Sequence, residues 1–149
     1  MARIRVQPED FDIGAEFAAL TAGRSDIGGI GCFVGTVRSN ADDRVAAMTL
    51  EHYPAMTERA IAGIVAEAER RWELLGCTVI HRVGRLTAGE NIVLVLAASA
   101  HRQPALDATA FLIDWLKTRA PFWKKEEHAD GGATWVAARE ADDAAAARW

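Results

Sequence analysis

Residues 91–126 read NIVLVLAASAHRQPALDATAFLIDWLKTRAPFWKKE. The first eight are almost unbroken aliphatic side chains, the pattern of a strand covered on both faces. Residues 91–98 are therefore expected to be a central strand. His101 and Arg102 follow it. Pro104 suits the first turn of a helix, because its missing N–H would have had no helical partner there. The helix is expected from about 103 to 119, with Pro121 just beyond its end. A strand at 122–127 and another at 133–138 flank Asp130-Gly131-Gly132, a hairpin signal.

Working outward, residues 28–38 read GGIGCFVGTVR. Glycine inside a strand contributes no packing of its own, so the stretch predicts a buried strand with something pressed close to its backbone. Residues 3–6 alternate as a short strand. Asp12 can cap a helix from 13 to about 21, with Phe17 and Leu20 expected on its inner face. Residues 39–44 form a polar loop and 45–53 a further strand. Pro54 opens a helix whose Met56, Ala60, Ile64, Ala68, Trp72 and Leu75 recur at helical spacing, with Gly76 as its stop. Residues 77–83 read as a strand and Ala88-Gly89 as a turn. An alanine-rich peripheral helix is expected over 140–149. The sum is at least six strands and three helices, an α+β or α/β pattern in a single compact domain spanning 1–149.

The chain has 149 residues, 17 Lys plus Arg against 21 Asp plus Glu, and a net charge of −4. That balance argues against a general nucleic-acid binder, which carries a positive footprint. No uncharged run reaches the roughly 18 residues of a membrane span. The start, MARIRVQPEDFD, is charged and has no apolar core, so no signal peptide is expected. Cys32 and Cys77 are too few for a disulfide framework, lack metal spacing, and are expected as buried, reduced thiols. A cytoplasmic protein is the default. The basic residues are lopsided: 14 Arg but three Lys, and Lys117, Lys124 and Lys125 fall within nine positions.

Four basic segments could carry chemistry. Arg38 stands where a strand enters a polar loop. His101-Arg102 precedes a helix start, where free backbone N–H groups attract anions. Lys117 and Arg119 lie in that helix's last turn, where they equally well complement its dipole. Lys124 and Lys125 lie on the next strand, where they could simply guard an edge. Arginine suits bidentate phosphate contact, and lysine beside aromatic groups can act as a proton carrier. The two ends of the helix are about 24 Å apart, so one pocket joins them only if it is elongated or built between subunits. The residues by themselves point to a site for a small anionic, phosphorylated ligand. They leave open a non-catalytic binding module for a phosphorylated small molecule, and a cysteine-dependent transferase. No Walker loop, dinucleotide fingerprint or metal-ligand spacing is present in the sequence.

The strings FVGTVR (33–38), LEHYPAMTE (50–58), VIHRVGRL (79–86), SAHRQPAL (99–106) and LKTRAPFWKKE (116–126) resemble, in order and spacing, the MoaE family of molybdopterin synthase large subunits. The resemblance runs from about residue 3 to 149. It implies an α/β hammerhead fold with an added antiparallel β subdomain. It also implies a sulfurtransferase step of molybdenum cofactor biosynthesis: cyclic pyranopterin monophosphate (precursor Z) receives two sulfurs and becomes the dithiolene molybdopterin. The sulfur arrives as a thiocarboxylate on the C-terminal Gly-Gly of a small ubiquitin-like, MoaD-like partner. A homodimer of large subunits within a heterotetramer is implied, and no metal or organic cofactor is required of the chain. For the non-catalytic alternative, the resemblance implies that the phosphorylated small molecule is pterin-like.

Carried over position by position, the family's substrate contacts fall on Thr36, Val37, Arg38, His101, Arg102, Lys117, Lys124, Lys125 and Glu126. Lys117 is expected as the catalytic amine and Lys124 as the second choice. Some relatives carry Lys at the position of Thr36. Arg139 matches a family arginine and is expected at an interface.

Overall fold

The computed structural model describes residues 2–42, 44–136 and 140–149. Eight strands and four helices are assigned among them: β1 (Ala2–Gln7), α1 (Ile13–Thr21), β2 (Gly29–Thr36), β3 (Val45–His52), α2 (Pro54–Arg71), β4 (Gly76–Arg82), β5 (Gly84–Thr87), β6 (Asn91–Ser99), α3 (Arg102–Arg119), β7 (Phe122–His128), β8 (Ala133–Val136) and α4 (Glu140–Ala147). They form two four-stranded sheets, ordered β1-β4-β6-β2 and β5-β3-β7-β8. The fold is α+β.

The first sheet carries the main core. β4 is buried along its whole length and β6 from Val93 to Ser99, which is why residues 91–98 read as unbroken aliphatic sequence. β1 and β4 are parallel; β4–β6 and β6–β2 are antiparallel. α2 and α3 cover one face through Ile61, Ile64, Val65, Phe111, Leu112 and Leu116 against Val79, Val93 and Val95. On the other face Leu20 of α1 packs with Phe11, Ile80, Leu94 and Leu96. The second sheet closes on the first through Val37, Val45, Leu50 and Leu86, with Phe122 packed against them.

The expected close approach to β2 is present, and the element that makes it is α3. A Cβ on Gly31 would lie 2.1 Å from Thr109 Oγ1 and 2.6 Å from the Ala105 carbonyl oxygen; just before β2, one on Gly28 would lie 1.9 Å from the carbonyl oxygen of Ala100, in the link between β6 and α3. The hairpin glycine Gly131 takes φ of +93°, and Gly132 N–H donates to Asp130 Oδ1 at 2.9 Å.

Several expectations are corrected. Asp12 does cap α1, accepting from Ala15 N–H at 3.0 Å, but Phe17 is exposed: the buried polar member of that helix is Glu16, held by Arg3 and Arg5 of β1. In α2 the inner stripe runs through Thr57, Ile61, Ile64, Val65 and Ala68, so Met56 faces solvent. α2 ends at Arg71, and Gly76 opens β4, where it meets Leu20. β5 was not expected; its four residues are too short for a periodic signal to emerge. Cys77 is buried and free, but Cys32 is exposed. Cys32 lies on edge strand β2, beyond β4 and β6, over which α1 packs.

The C-terminal segment is docked. α4 packs on α3. Trp149 sets its ring against Trp72 and Phe111 at 5.6 and 5.9 Å, and its Nε1–H donates to Asp114 at 2.7 Å. Trp72 and Trp115 therefore serve the core, whereas Trp123 and Trp135 are exposed.

The glycine contacts give a paired prediction. Gly31→Ala should lower stability by about 1–3 kcal/mol, because backbone of α3 must move to admit one methyl group. Gly63→Ala, on the exposed face of α2 with nothing within 4 Å of its added Cβ, should raise stability by roughly 0.5–1 kcal/mol. Urea midpoints of the two variants check both signs.

Candidate active site

The cations singled out in the sequence fall into two groups at opposite ends of α3. At its start, His101 is the N-cap residue, with extended backbone and no side-chain cap bond. His101 and Arg102 are both exposed, and Arg102 lies beside Gly29 at the start of β2. At the far end Lys117 sits in the last turn, exposed, one residue after buried Leu116. Fifteen helical steps separate Arg102 from Lys117, about 22 Å at 1.5 Å per residue. Within one chain these two groups do not meet.

The far end is built by both sheets. β2 finishes there after an irregularity between Gly35 and Thr36. Thr36 is exposed, and the Val37 side chain is buried among Val45, Leu50 and Leu86. Val37 N–H donates to the Glu90 carbonyl at 2.9 Å, and its own carbonyl accepts from Gly89 N–H at 2.8 Å. Val37 thus has neither side chain nor backbone polar group to spare, and it anchors exposed Arg38 next to it. The 88–90 turn is held in its own right. Glu90 accepts from Thr87 N–H and Oγ1 and from Arg82, and these bonds, led by the Thr87 backbone, lower its carboxyl pKa. Buried Arg82 also donates to the carbonyls of Pro8 and Asn91.

β7 divides the remaining candidates by alternation. Phe122, Lys124 and Glu126 share one face, opposite His52, Leu50 and Met48 of β3. Trp123 and Lys125 share the other, with Lys125 Nζ 5.9 Å from the Trp135 ring. Adjacent lysines therefore serve different surfaces. Arg139 lies outside the described residues.

Three residues of this region were missed as site candidates: His81, Phe122 and His52. The His81 ring stacks on Phe122 with centroids 3.9 Å apart and an 18° tilt, and His52 lies on Phe122 at 6.2 Å. Burial pushes the His81 pKa down to about 4; a bond to the Arg82 carbonyl opposes this, and Lys124, Lys117 and His52 add to the depression. Both lysines and both histidines therefore belong to one electrostatic cluster. The signal in the sequence was a polar residue at the inward position of the stripe Cys77, Val79, His81. His52 also lines a cavity of about 310 Å³ with Glu51, Tyr53, Trp123 and Trp135, and its buried Nδ1 has no hydrogen-bond partner. Tyr53 and Trp123 meet edge to face at 5.1 Å. Among the described residues no three His, Cys, Asp or Glu side chains are grouped to hold a metal ion, and no helix is long and apolar enough to cross a membrane. The arrangement can bind an anion and move protons through amines.

Comparison with known proteins gives one consistent answer. Residues 6–119 match the family model described as MoaE protein. The molybdopterin synthase catalytic subunit of Mesorhizobium japonicum is 55% identical over 147 residues, covering 98% of this chain and 92% of its own length. The solved structure of the molybdopterin biosynthesis MoaE protein from Burkholderia ambifaria superposes with TM-score 0.84 at 54% identity, covering 100% of this chain and 98% of that one. The crystal structure of molybdopterin synthase from Staphylococcus aureus gives TM-score 0.78 at 27% identity, covering 89% and 95%.

His81 also makes a stability prediction. Its pKa is about 4 when folded and about 6.5 when unfolded. As pH falls through that window the unfolded chain binds the proton first, so stability present above 6.5 is lost toward 4. The loss amounts to about 2 kcal/mol between pH 7 and 5. Urea unfolding across this range should show wild type converging on His81→Gln by that amount; parallel curves would refute the assignment. Carboxylates held low, such as Asp10 and Glu90, act further down the scale and are common to both proteins.

Proposed function

The chain belongs to the MoaE family, and on that premise we propose that it is the catalytic, large subunit of molybdopterin synthase. It is a sulfurtransferase of molybdenum cofactor biosynthesis. It takes sulfur from the C-terminal thiocarboxylate of a small ubiquitin-like, MoaD-like partner and delivers it to cyclic pyranopterin monophosphate, forming the dithiolene of molybdopterin. The cytoplasm is its place of work. The observation that carries the reading is the placing of Lys117 in the last turn of α3 and of Lys124 on β7 beside Phe122, both acting electrostatically on the buried His81, in an otherwise acidic protein.

In this reading the thiocarboxylate and the cyclic phosphate bring negative charge, and the cations receive it. Arg38, anchored by Val37, holds phosphate with a planar fork of donors. Thr36 contributes by its place at the strand end. Lys117 is the catalytic amine: it exchanges protons with the pterin side chain or steadies charge on the thiocarboxylate carbonyl as sulfur departs. Lys124 is the second amine of the cluster. Glu126, two residues along the same face of β7, balances it. Lys125 stands on the opposite face and is a lesser contact.

The distance between the ends of α3 supports a site shared by two copies of the chain. His101 and Arg102 of one copy then complete the pocket formed by Lys117, Lys124 and Arg38 of the other. No cysteine is given a part in this reading: the Cys77 thiol is buried, with its pKa pushed up to about 12 chiefly by burial, and partial burial also raises the pKa of the exposed Cys32 thiol.

With thiocarboxylated partner and precursor Z, dithiolene formation followed by mass spectrometry tests the reading. Lys117→Ala should lower turnover by about 100-fold or more while retaining fold and partner binding; near-normal conversion would remove Lys117 from its role. Cys32→Ala and Cys77→Ala should remain active. Mixing Lys117→Ala with Arg102→Ala subunits should restore activity, because mixed dimers contain one intact composite site; two inactive parents that stay inactive on mixing would refute the shared site.

A further inference from the structure

Arg38 is exposed, and it stands between two residues that are tied down. Before it, Val37 exchanges two hydrogen bonds with the 88–90 turn. Its N–H donates to the Glu90 carbonyl at 2.9 Å, and its carbonyl accepts from Gly89 N–H at 2.8 Å. The Val37 side chain, buried among Val45, Leu50 and Leu86, adds an apolar hold. After Arg38, Ser39 Oγ accepts from Val45 N–H at 3.0 Å, which ties it to the start of β3. The backbone that carries the Arg38 guanidinium is therefore only as fixed as the 88–90 turn.

The Glu90 carboxylate holds that turn from two sides. Oε2 accepts from Thr87 N–H at 2.6 Å and from Thr87 Oγ1 at 2.9 Å. Oε1 accepts from Arg82 Nη1 at 3.4 Å. The Arg82 side chain is 8% exposed, and its remaining bonds go to the carbonyls of Pro8 and Asn91. Glu90 thus joins a surface turn to a guanidinium fixed in the protein interior. Its own side chain is 39% exposed, and an ion pair so open to water adds little stability. What such a carboxylate does is orient the donors it collects.

We infer that Glu90 is a positioning residue for Arg38: by bracing the 88–90 turn against Arg82 it holds the Val37 backbone, and so fixes where Arg38 presents its guanidinium to a phosphate-bearing ligand. That Arg38 receives phosphate rests on the function proposed above. A planar fork of donors binds more tightly when it is already in place, because less freedom is lost with each binding event. The phosphate is held alike before and during sulfur transfer, so the brace acts on KM and leaves kcat alone.

Amide hydrogen exchange of the folded chain, without substrate or partner, tests the brace. Glu90→Ala should speed exchange at the Val37 and Gly89 amides by about 10-fold or more beyond any change at the Val95 amide of central β6. Unchanged rates at Val37 and Gly89, or an equal rise at Val95, overturns the inference. In turnover, Glu90→Ala should raise KM for precursor Z about 5-fold or more with kcat within about twofold. Glu90→Gln, whose amide oxygen can still accept from Thr87, should recover part of that loss. Arg38→Ala should raise KM at least as far, and adding Glu90→Ala to it should cost nothing further, because the residue being positioned is gone. Losses that multiply in the double variant would assign Glu90 to general stability and overturn the inference. A wild-type complex that makes no dithiolene would instead refute the proposed function, since the exchange result is independent of turnover.

Discussion

The contact between α3 and β2 is the constraint on which the rest of the structure depends. The strand brings glycine where the helix presses hardest, and Thr109 and the Ala105 carbonyl occupy the space a side chain would fill. That closeness seats Phe111, Leu112 and Leu116 against β4 and β6 and excludes water from the sheet's helical face. It also sets α3 along the strands, so that its two ends coincide with the two ends of the sheet. The cations at those ends are held apart by the rise of the helix. The separation that favours a site shared between two copies is thus a by-product of core packing.

At the lysine end, polar residues close what the apolar core leaves open. Arg82 gathers the Pro8 and Asn91 carbonyls and the Glu90 carboxylate, joining the end of β1 to the start of β6. Glu90 braces the turn on which Val37 hangs, and Val37 carries Arg38. His81 and Phe122 fill the gap between the sheets. An exposed cation is placed in this way by buried neighbours that never touch a ligand, as preorganised sites require. Beyond His52 the same end opens into an aromatic cavity whose Trp123 and Trp135 are exposed.

Much of this was legible in the sequence. The aliphatic run of β6, the glycines of β2, the Asp12 cap, both proline-started helices and the Asp-Gly-Gly hairpin each follow from local rules: periodicity, missing N–H groups and turn chemistry. What failed did so for tertiary reasons. Met56 fits a helical spacing, yet the stripe that α2 buries is rotated to Thr57, Ile61 and Val65 by the sheet it meets. Cys32 sits in apolar sequence, but on an edge strand. β5 pairs with β3 through too few residues to advertise itself.

The same division runs through the candidate site. Sequence by itself determined which residue types are concentrated where: three lysines in nine positions, an arginine at a strand end, a His-Arg pair before a helix. It also carried the strings by which the family is recognised. Tertiary structure decided which of them share a neighbourhood. Alternation along β7 puts Lys124 on the face of Phe122, whose ring stacks on His81, and Lys125 on the other face near Trp135, although the two are adjacent in the chain. Burial pushes the His81 pKa from the ordinary imidazole range down to about 4. Both outcomes depend on what packs against a strand, and that is fixed by elements distant in sequence rather than by the residues on either side.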